Sequence, residues 1–215
     1  MTRKASMKAI IFDFDGTLAD SLILGLAGVN QLAERFSYPI FEDPDYIRAR
    51  GVRQLIKEDL GLRWYQFPVY LHALKKQLMP QLSKLELNEG MEEVLRALHT
   101  QAQLFILTSN IRPAVEFVIE RYQLDLFEGI YAGTSLFRKH QKLKRLLRRH
   151  QLKAHEAVYV GDEVRDIVAC RRIGMPIISV TWGFNSADFL ASAGPNHLAQ
   201  SPEELRQILE THYLD

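Results

Sequence analysis

Asp13 and Asp15 stand one residue apart where the apolar run of "IFDFDGTLAD" ends, and Gly16 follows at once. Alternate side chains of an extended segment share a face, so the two carboxylates crowd together. Like charges this close coexist only with a cation or a proton between them. Later, "TSN" (Thr108, Ser109, Asn110) closes a second apolar run, and "AVYVGDEVRD" delivers Asp162, Glu163 and Asp166 after a third. Asp, Ser and Thr after strands often do no more than cap the next helix. Capping accounts for Thr108 or Asp162 alone, but not for the Asp13–Asp15 pair. Asp13, Asp15 and Asp162 together make an oxygen-rich site suited to a hard divalent ion, with Mg²⁺ as first choice. Gly16 permits a sharp turn, and the amides after Asp13 can face an anion.

These groups converge only if the runs that carry them lie side by side and point one way. "KAIIFD", "LFILTS", "AVYVGD" and "PIISVT" are near-continuous apolar stretches, as expected of strands buried on both faces. "GIYAG" (129–133) is a weaker fifth strand. Between them fall helical spacings: Met91, Val94, Leu95, Leu98; then Val115, Val118, Ile119, Tyr122; then Val164, Ile167, Val168. A last helix starts at "SPEEL", with Ser201 as N-cap, Pro202 at the first position and Glu204 closing a capping box. The alternation predicts an α/β fold, a Rossmann-like three-layer core with a parallel sheet between helices. Ligands of such sheets bind beyond the carboxyl ends of the strands.

One stretch breaks the rhythm. Residues 21–89 carry helical patterns, turn signals at "YPIFEDPDY" and an aromatic cluster, Trp64, Tyr65, Phe67 and Tyr70, but no convincing strand. They read as a small helical domain inserted after the first strand, with the aromatics as its own core. Residues 1–20 and 90–215 then form the catalytic core, and Gly90 marks the return to it.

Composition sets the context. The chain has 215 residues, 47% hydrophobic and 25% charged, with a formal net charge of +1. That balance points to neither nucleic acid nor membrane as a partner. The apolar run after the basic start is too short for a signal segment or a span, and the segment before Met7 reads as an extension of little consequence. Cys170 is the only cysteine, which suits a reducing compartment and a cytoplasmic protein.

"DFDGTLADS", "LTSN" and "VYVGDEVRD" resemble, in order and spacing, the first, second and fourth motifs of the haloacid dehalogenase-like superfamily. The resemblance covers essentially the whole chain, and "VTWGFNS" with "SPEEL" is similar to its phosphoglycolate phosphatase-like branch. It implies a phosphatase acting on a small phosphorylated metabolite through an aspartyl phosphate. Asp13 is then the nucleophile, and Asp15 the general acid and later the general base. Gly16, Thr17, Thr108, Ser109, Asn110 and a lysine would bind the phosphoryl group. Mg²⁺ would be ligated by Asp13, the main-chain carbonyl of Asp15 and Asp162, with Asp166 and Glu163 in its outer shell. The chemistry agrees: a carboxylate attacking a phosphate dianion needs fixed positive charge to cancel repulsion.

The third motif supplies the lysine, and here the branch's usual Lys-Pro-x-Pro is replaced by "SLFRKHQKLKRLL". Lys139 is the choice by its place at the helix start, with Lys142 as alternative. From Arg138 to Lys153 the chain holds eight basic residues and no acid. Leu143, Leu146 and Leu147 make an apolar stripe, so the charge reads as the solvated face of a core helix rather than a nucleic-acid-binding one. The histidines show no metal-ligand spacing; His99, His150 and His212 fall near helix ends.

The insertion would act as a lid that excludes water and admits only what fits beneath it. Its "YIRARGVRQL" offers Arg48, Arg50 and Arg53 as further anion contacts. A phosphosugar mutase would use the same core residues. A dehalogenase would not keep an acid at Asp15, and a non-catalytic relative would have lost some of the acids. The sequence leaves open the substrate and the choice between monomer and dimer.

Overall fold

The computed structural model describes residues 7–50, 54–63, 65–133 and 138–214. Among these residues six strands form one sheet: β1 (Ala9–Phe12), β2 (Gln103–Leu107), β3 (Phe127–Tyr131), β4 (Ala157–Gly161), β5 (Ile177–Val180) and β6 (His197–Ala199). Their order is β3-β2-β1-β4-β5-β6 and every pairing is parallel. β1 is central, and Phe12 pairs with both Ile106 and Val160. The residues that follow these three therefore emerge together at one edge.

Alternation within each strand feeds two cores. Ile10, Phe12, Leu104, Ile106, Val158 and Val160 turn to the helices Met91–His99, Arg112–Arg121 and Pro202–His212. Ala9, Ile11, Phe105, Leu107 and Tyr159 turn to Lys139–Arg149, Val164–Arg171 and Ala187–Ser192. Burying both faces explains the near-continuous apolar runs, each such side chain contributing about 1.5–3 kcal/mol. The sandwich is the three-layer α/β core expected.

Several local expectations need correction. β3 starts two residues before the stretch read from sequence, because this edge strand is half-exposed and carries Glu128. β6 and the helix Ala187–Ser192 are too short to have shown a period. Ser201 caps its helix by accepting from the Glu204 amide, but the Glu204 carboxylate reaches to the Gln200 amide, not back to Ser201.

From Leu22 to Lys84 the described residues form helices only: Leu22–Asn30, Ala33–Phe36, Pro44–Arg48, a π-helical turn at Leu55–Asp59, Phe67–Leu78 and a 3₁₀ turn at Met79–Lys84. They enclose a third apolar cluster around Leu32, Tyr38, Phe41 and Tyr70. Of the aromatics read as its core, Tyr70 is buried there, Tyr65 is exposed, and Trp64 lies outside the described residues. The chain leaves and re-enters the core at one place. Ala19 bridges Leu87, the Asp20 amide donates to Glu86 O at 2.9 Å, and the Asn88 amide donates to Leu18 O at 2.8 Å.

Candidate active site

Asp13 follows β1, and its amide still donates to Val160 O, so the residue is fixed by the sheet. Its carboxylate accepts from the Phe14 amide at 2.8 Å and from Lys139 Nζ at 2.5 Å. Lys139 begins the helix Lys139–Arg149, is buried, and also donates to Asp166 Oδ1 at 2.5 Å. Its ammonium lies 5.1 Å from the Tyr159 ring centroid. Burial pulls the Lys139 pKa down, but Asp13 and Asp166 outweigh it and keep the group charged. Lys142, the alternative, stands with Arg138 and Arg145 along an outer groove.

Asp13, Asp162 and Asp166 each offer an oxygen within 4.8 Å of the others, and all three are buried. Asp162 accepts from Thr17 Oγ1 and from the Phe184 amide, both at 2.7 Å. A Cβ on Gly16 or Gly183 would overlap its carboxylate, which explains both glycines. Burial pushes Asp162 well above the usual carboxylate range, reinforced by the charges of Glu163, Asp13 and Asp166. Burial likewise raises Asp166 to about 6, against the pull of Lys139. Crowded, dehydrated carboxylates of this kind suit a small hard cation, and the donor set fits Mg²⁺.

The Asp15 carboxylate lies outside that trio and accepts from Asn110 Nδ2 at 2.8 Å. Desolvation, then the charge of Asp13, raises its pKa to about 6. Asn110 also accepts from the Ile111 amide through Oδ1, and Thr108 Oγ1 accepts from the Asn110 amide at 3.0 Å. Thr108 is buried and Ser109 half-buried beside Asp15. Gly16 and Thr17 form the turn after Asp15. Their amides donate within the turn, to Ala19 O and Phe14 O, and the Thr17 hydroxyl is spent on Asp162.

At the start of the helix Val164–Arg171 the Glu163 amide donates to Asp166 Oδ2 and the Asp166 amide to Glu163 O, while the Glu163 carboxylate pairs with Arg165. Arg165 was not apparent from sequence, where a charge in a helix's first turn looks solvated. Its Nε and Nη1 are buried with no hydrogen-bond partner, beside Asp15 and Asn110 at one end of a cavity of ≈ 300 Å³. Asn185 was missed too. Its side chain accepts from the Val164 amide at 2.9 Å and donates to Arg50 O at 3.0 Å. Of the arginines proposed as anion contacts, Arg48 donates to Thr181 O but keeps a buried Nε without a partner, and Arg50 pairs with Asp59 and Glu58. Arg53 lies outside the described residues.

A family model described as haloacid dehalogenase-like hydrolase matches residues 10–180, which takes in Asp13, Thr108, Lys139 and Asp166. The chain belongs to the haloacid dehalogenase-like hydrolases. This hydrolase is 37% identical over 207 residues to a phosphoglycolate phosphatase of Synechococcus elongatus, covering 94% of this chain and 97% of that one. A 5'-nucleotidase of Pseudomonas aeruginosa is 27% identical over 218 residues, covering 94% and 96%. Among solved structures, a predicted phosphatase from Clostridium acetobutylicum superposes with a TM-score of 0.82 at 23% identity, covering 95% and 99%. That last likeness is one of fold.

Proposed function

We propose that this hydrolase is a Mg²⁺-dependent phosphatase of a small phosphorylated metabolite, working through an aspartyl phosphate on Asp13. The observation that carries the reading is Lys139 seated between Asp13 and Asp166 with Asp162 alongside. One carboxylate is thereby held for attack, with positive charge fixed beside it. The relatives' names, phosphoglycolate phosphatase and 5'-nucleotidase, support phosphomonoester hydrolysis. Mg²⁺ would be held by Asp13, Asp162 and the Asp15 carbonyl with Asp166 behind, and would supply charge that offsets the approaching dianion.

Within this reading the chain's own groups divide the work. Asp13 attacks phosphorus, and Lys139 steadies both the carboxylate and the charge that develops on the phosphoryl oxygens. Thr108, Ser109 and Lys139 bind those oxygens. Asp15, raised to about 6 by desolvation and Asp13, carries the proton for the departing oxygen and then takes one from water. Asn110 aims it. The helices of residues 21–89 form a cap over the strand ends, on a core of 1–20 and 90–215, and exclude water during the reaction. Among the described residues no helix is long and apolar enough to cross a membrane. With its only cysteine buried, the protein is read as cytoplasmic.

The test separates the two acids of the first motif. With p-nitrophenyl phosphate, whose leaving oxygen needs little protonation, Asp15→Asn should release a burst of nitrophenol near the enzyme concentration and then stall. Intact-mass measurement after acid quench should show one added phosphoryl group, absent from Asp13→Asn. Phosphorylation of Asp13→Asn at the same site would sink the mechanism.

A further inference from the structure

The cavity of ≈ 300 Å³ has two unlike ends. Asp15, Ser21, Ser109, Asn110, Glu163 and Arg165 form the polar one, and Lys75 is the one charged residue elsewhere on the wall. Most of the remaining wall is aliphatic, with Leu26, Val29, Leu71, Leu74 and Leu78 all half-buried against it. Apolar side chains facing a space of this size gain stability only when something apolar covers them. The volume lies at the lower end of the range for small-molecule sites.

A second observation concerns the helix Leu22–Asn30, which carries two glycines. Gly28 is dictated by packing, since a Cβ there would lie 2.6 Å from Leu78 Cδ2. Gly25 is not. A Cβ at 25 would meet the Phe184 ring at 3.7 Å, an ordinary contact, and Gly25 is absent from the positive-φ positions. A glycine inside a helix weakens it. What Gly25 provides is room on the cavity wall, between this helix and Phe184.

We propose that the cavity holds the leaving group of the substrate and that this group is apolar: the substrate is a phosphomonoester of an aliphatic or aromatic alcohol. The inference rests on the phosphatase reading. In that reading the bond from Asp13 oxygen to phosphorus forms, the bond from phosphorus to the alcohol oxygen breaks, and the Asp15 proton goes to the departing oxygen. The alcohol therefore leaves from beside Asp15, and its carbon skeleton extends among the leucines. A carboxylate reaching past Arg165 and Lys75 to the leucines would be stripped of water without a partner there.

Two substrate pairs test this, each matched in leaving-group acidity but not in apolar bulk: ethyl against hexyl phosphate, and phenyl against 2-naphthyl phosphate. With the full chain and Mg²⁺, the larger member of each pair should have kcat/KM at least tenfold higher, mostly through KM. Gly25→Leu should lower kcat/KM for hexyl phosphate at least tenfold more than for ethyl phosphate, while Tm holds or rises. Equal kcat/KM within both pairs would overturn the proposal. So would an equal loss on all substrates in Gly25→Leu, or 2-phosphoglycolate outpacing all four esters tenfold. If no phosphomonoester is turned over and no phosphoryl group appears on Asp13, the phosphatase reading itself has failed and takes this inference with it.

Discussion

Lys139 Nζ lies 2.5 Å from Asp13 Oδ2, and neither side chain is exposed beyond 4%. Removing one member of a buried pair leaves its partner's charge unbalanced, which typically costs about 3–5 kcal/mol. Lys139→Ala should therefore lower the melting temperature in EDTA, and Mg²⁺ should restore part of the loss. Turnover should fall more than a hundredfold. Arg145, Arg148 and Arg149 are exposed on the same helix, and changing all three to Gln should leave turnover within about twofold. Equal losses in the two variants would overturn the role given to Lys139. Salt-sensitive binding of the unmodified protein to duplex DNA or RNA would give the basic face another purpose.

Metal dependence follows from the carboxylate trio. Hydrolysis of p-nitrophenyl phosphate should stop in EDTA and return with Mg²⁺, while Ca²⁺, with its longer and looser coordination, should restore little. The Thr17 hydroxyl holds Asp162 in place at 2.7 Å. Loss of such an outer contact typically weakens metal affinity by about 10–100-fold. Thr17→Val should accordingly need more Mg²⁺ for half-maximal rate while retaining the maximal rate. An unchanged Mg²⁺ titration would count against Asp162 as a ligand.

Asn185 spans two parts of the molecule, from the Val164 amide in the core to Arg50 O beyond the helix Pro44–Arg48. The neighbouring Ser186 amide donates to Arg48 O at 2.8 Å. Asn185→Ala removes the side-chain clasp and leaves the Val164 amide unpaired, a cost of about 1–3 kcal/mol. Hydrogen exchange should quicken in residues 44–50 while β1 and β4 stay protected, and KM should rise more than kcat falls. Uniform loss of protection would mean that Asn185 serves only the core.

His197 stacks on His212 with ring centroids 4.6 Å apart. Burial, then the charge of His212, lowers the His197 pKa below its ordinary value. Below about pH 6.5 the unfolded chain thus binds the proton more readily than the folded one. This contribution to stability is full above that pH and is lost as pH falls. Melting temperature should drop between pH 7.5 and 5.5, and less steeply in His197→Phe. Parallel curves would dismiss the pair as a determinant.

Sequence and structure agree best where burial is two-sided. β1, β2, β4 and β5 showed as apolar runs because neither face meets water, whereas β3 and β6 lie at the edges and carry mixed residues. The acids after β1 and β4 were legible because charge after an apolar run is anomalous on sight. Arg165 and Asn185 were not, since their roles depend on what the fold brings near them. Nor could the fate of the Gly16 and Thr17 amides be read, because a turn's internal hydrogen bonds are settled by its dihedral angles.

The bridge between Ala19 and Leu87 gives the inserted helices a single doorway. Both threads of the chain pass through it side by side, two residues from Thr17 on one thread and beside Asn88, which donates to Thr17 O, on the other. Because entry and exit coincide, the helices beyond can lengthen, shorten or be exchanged without reopening the sheet. Asp13, Thr108 and Asp162 stay with the sheet, while the residues that face them from the inserted helices are free to drift.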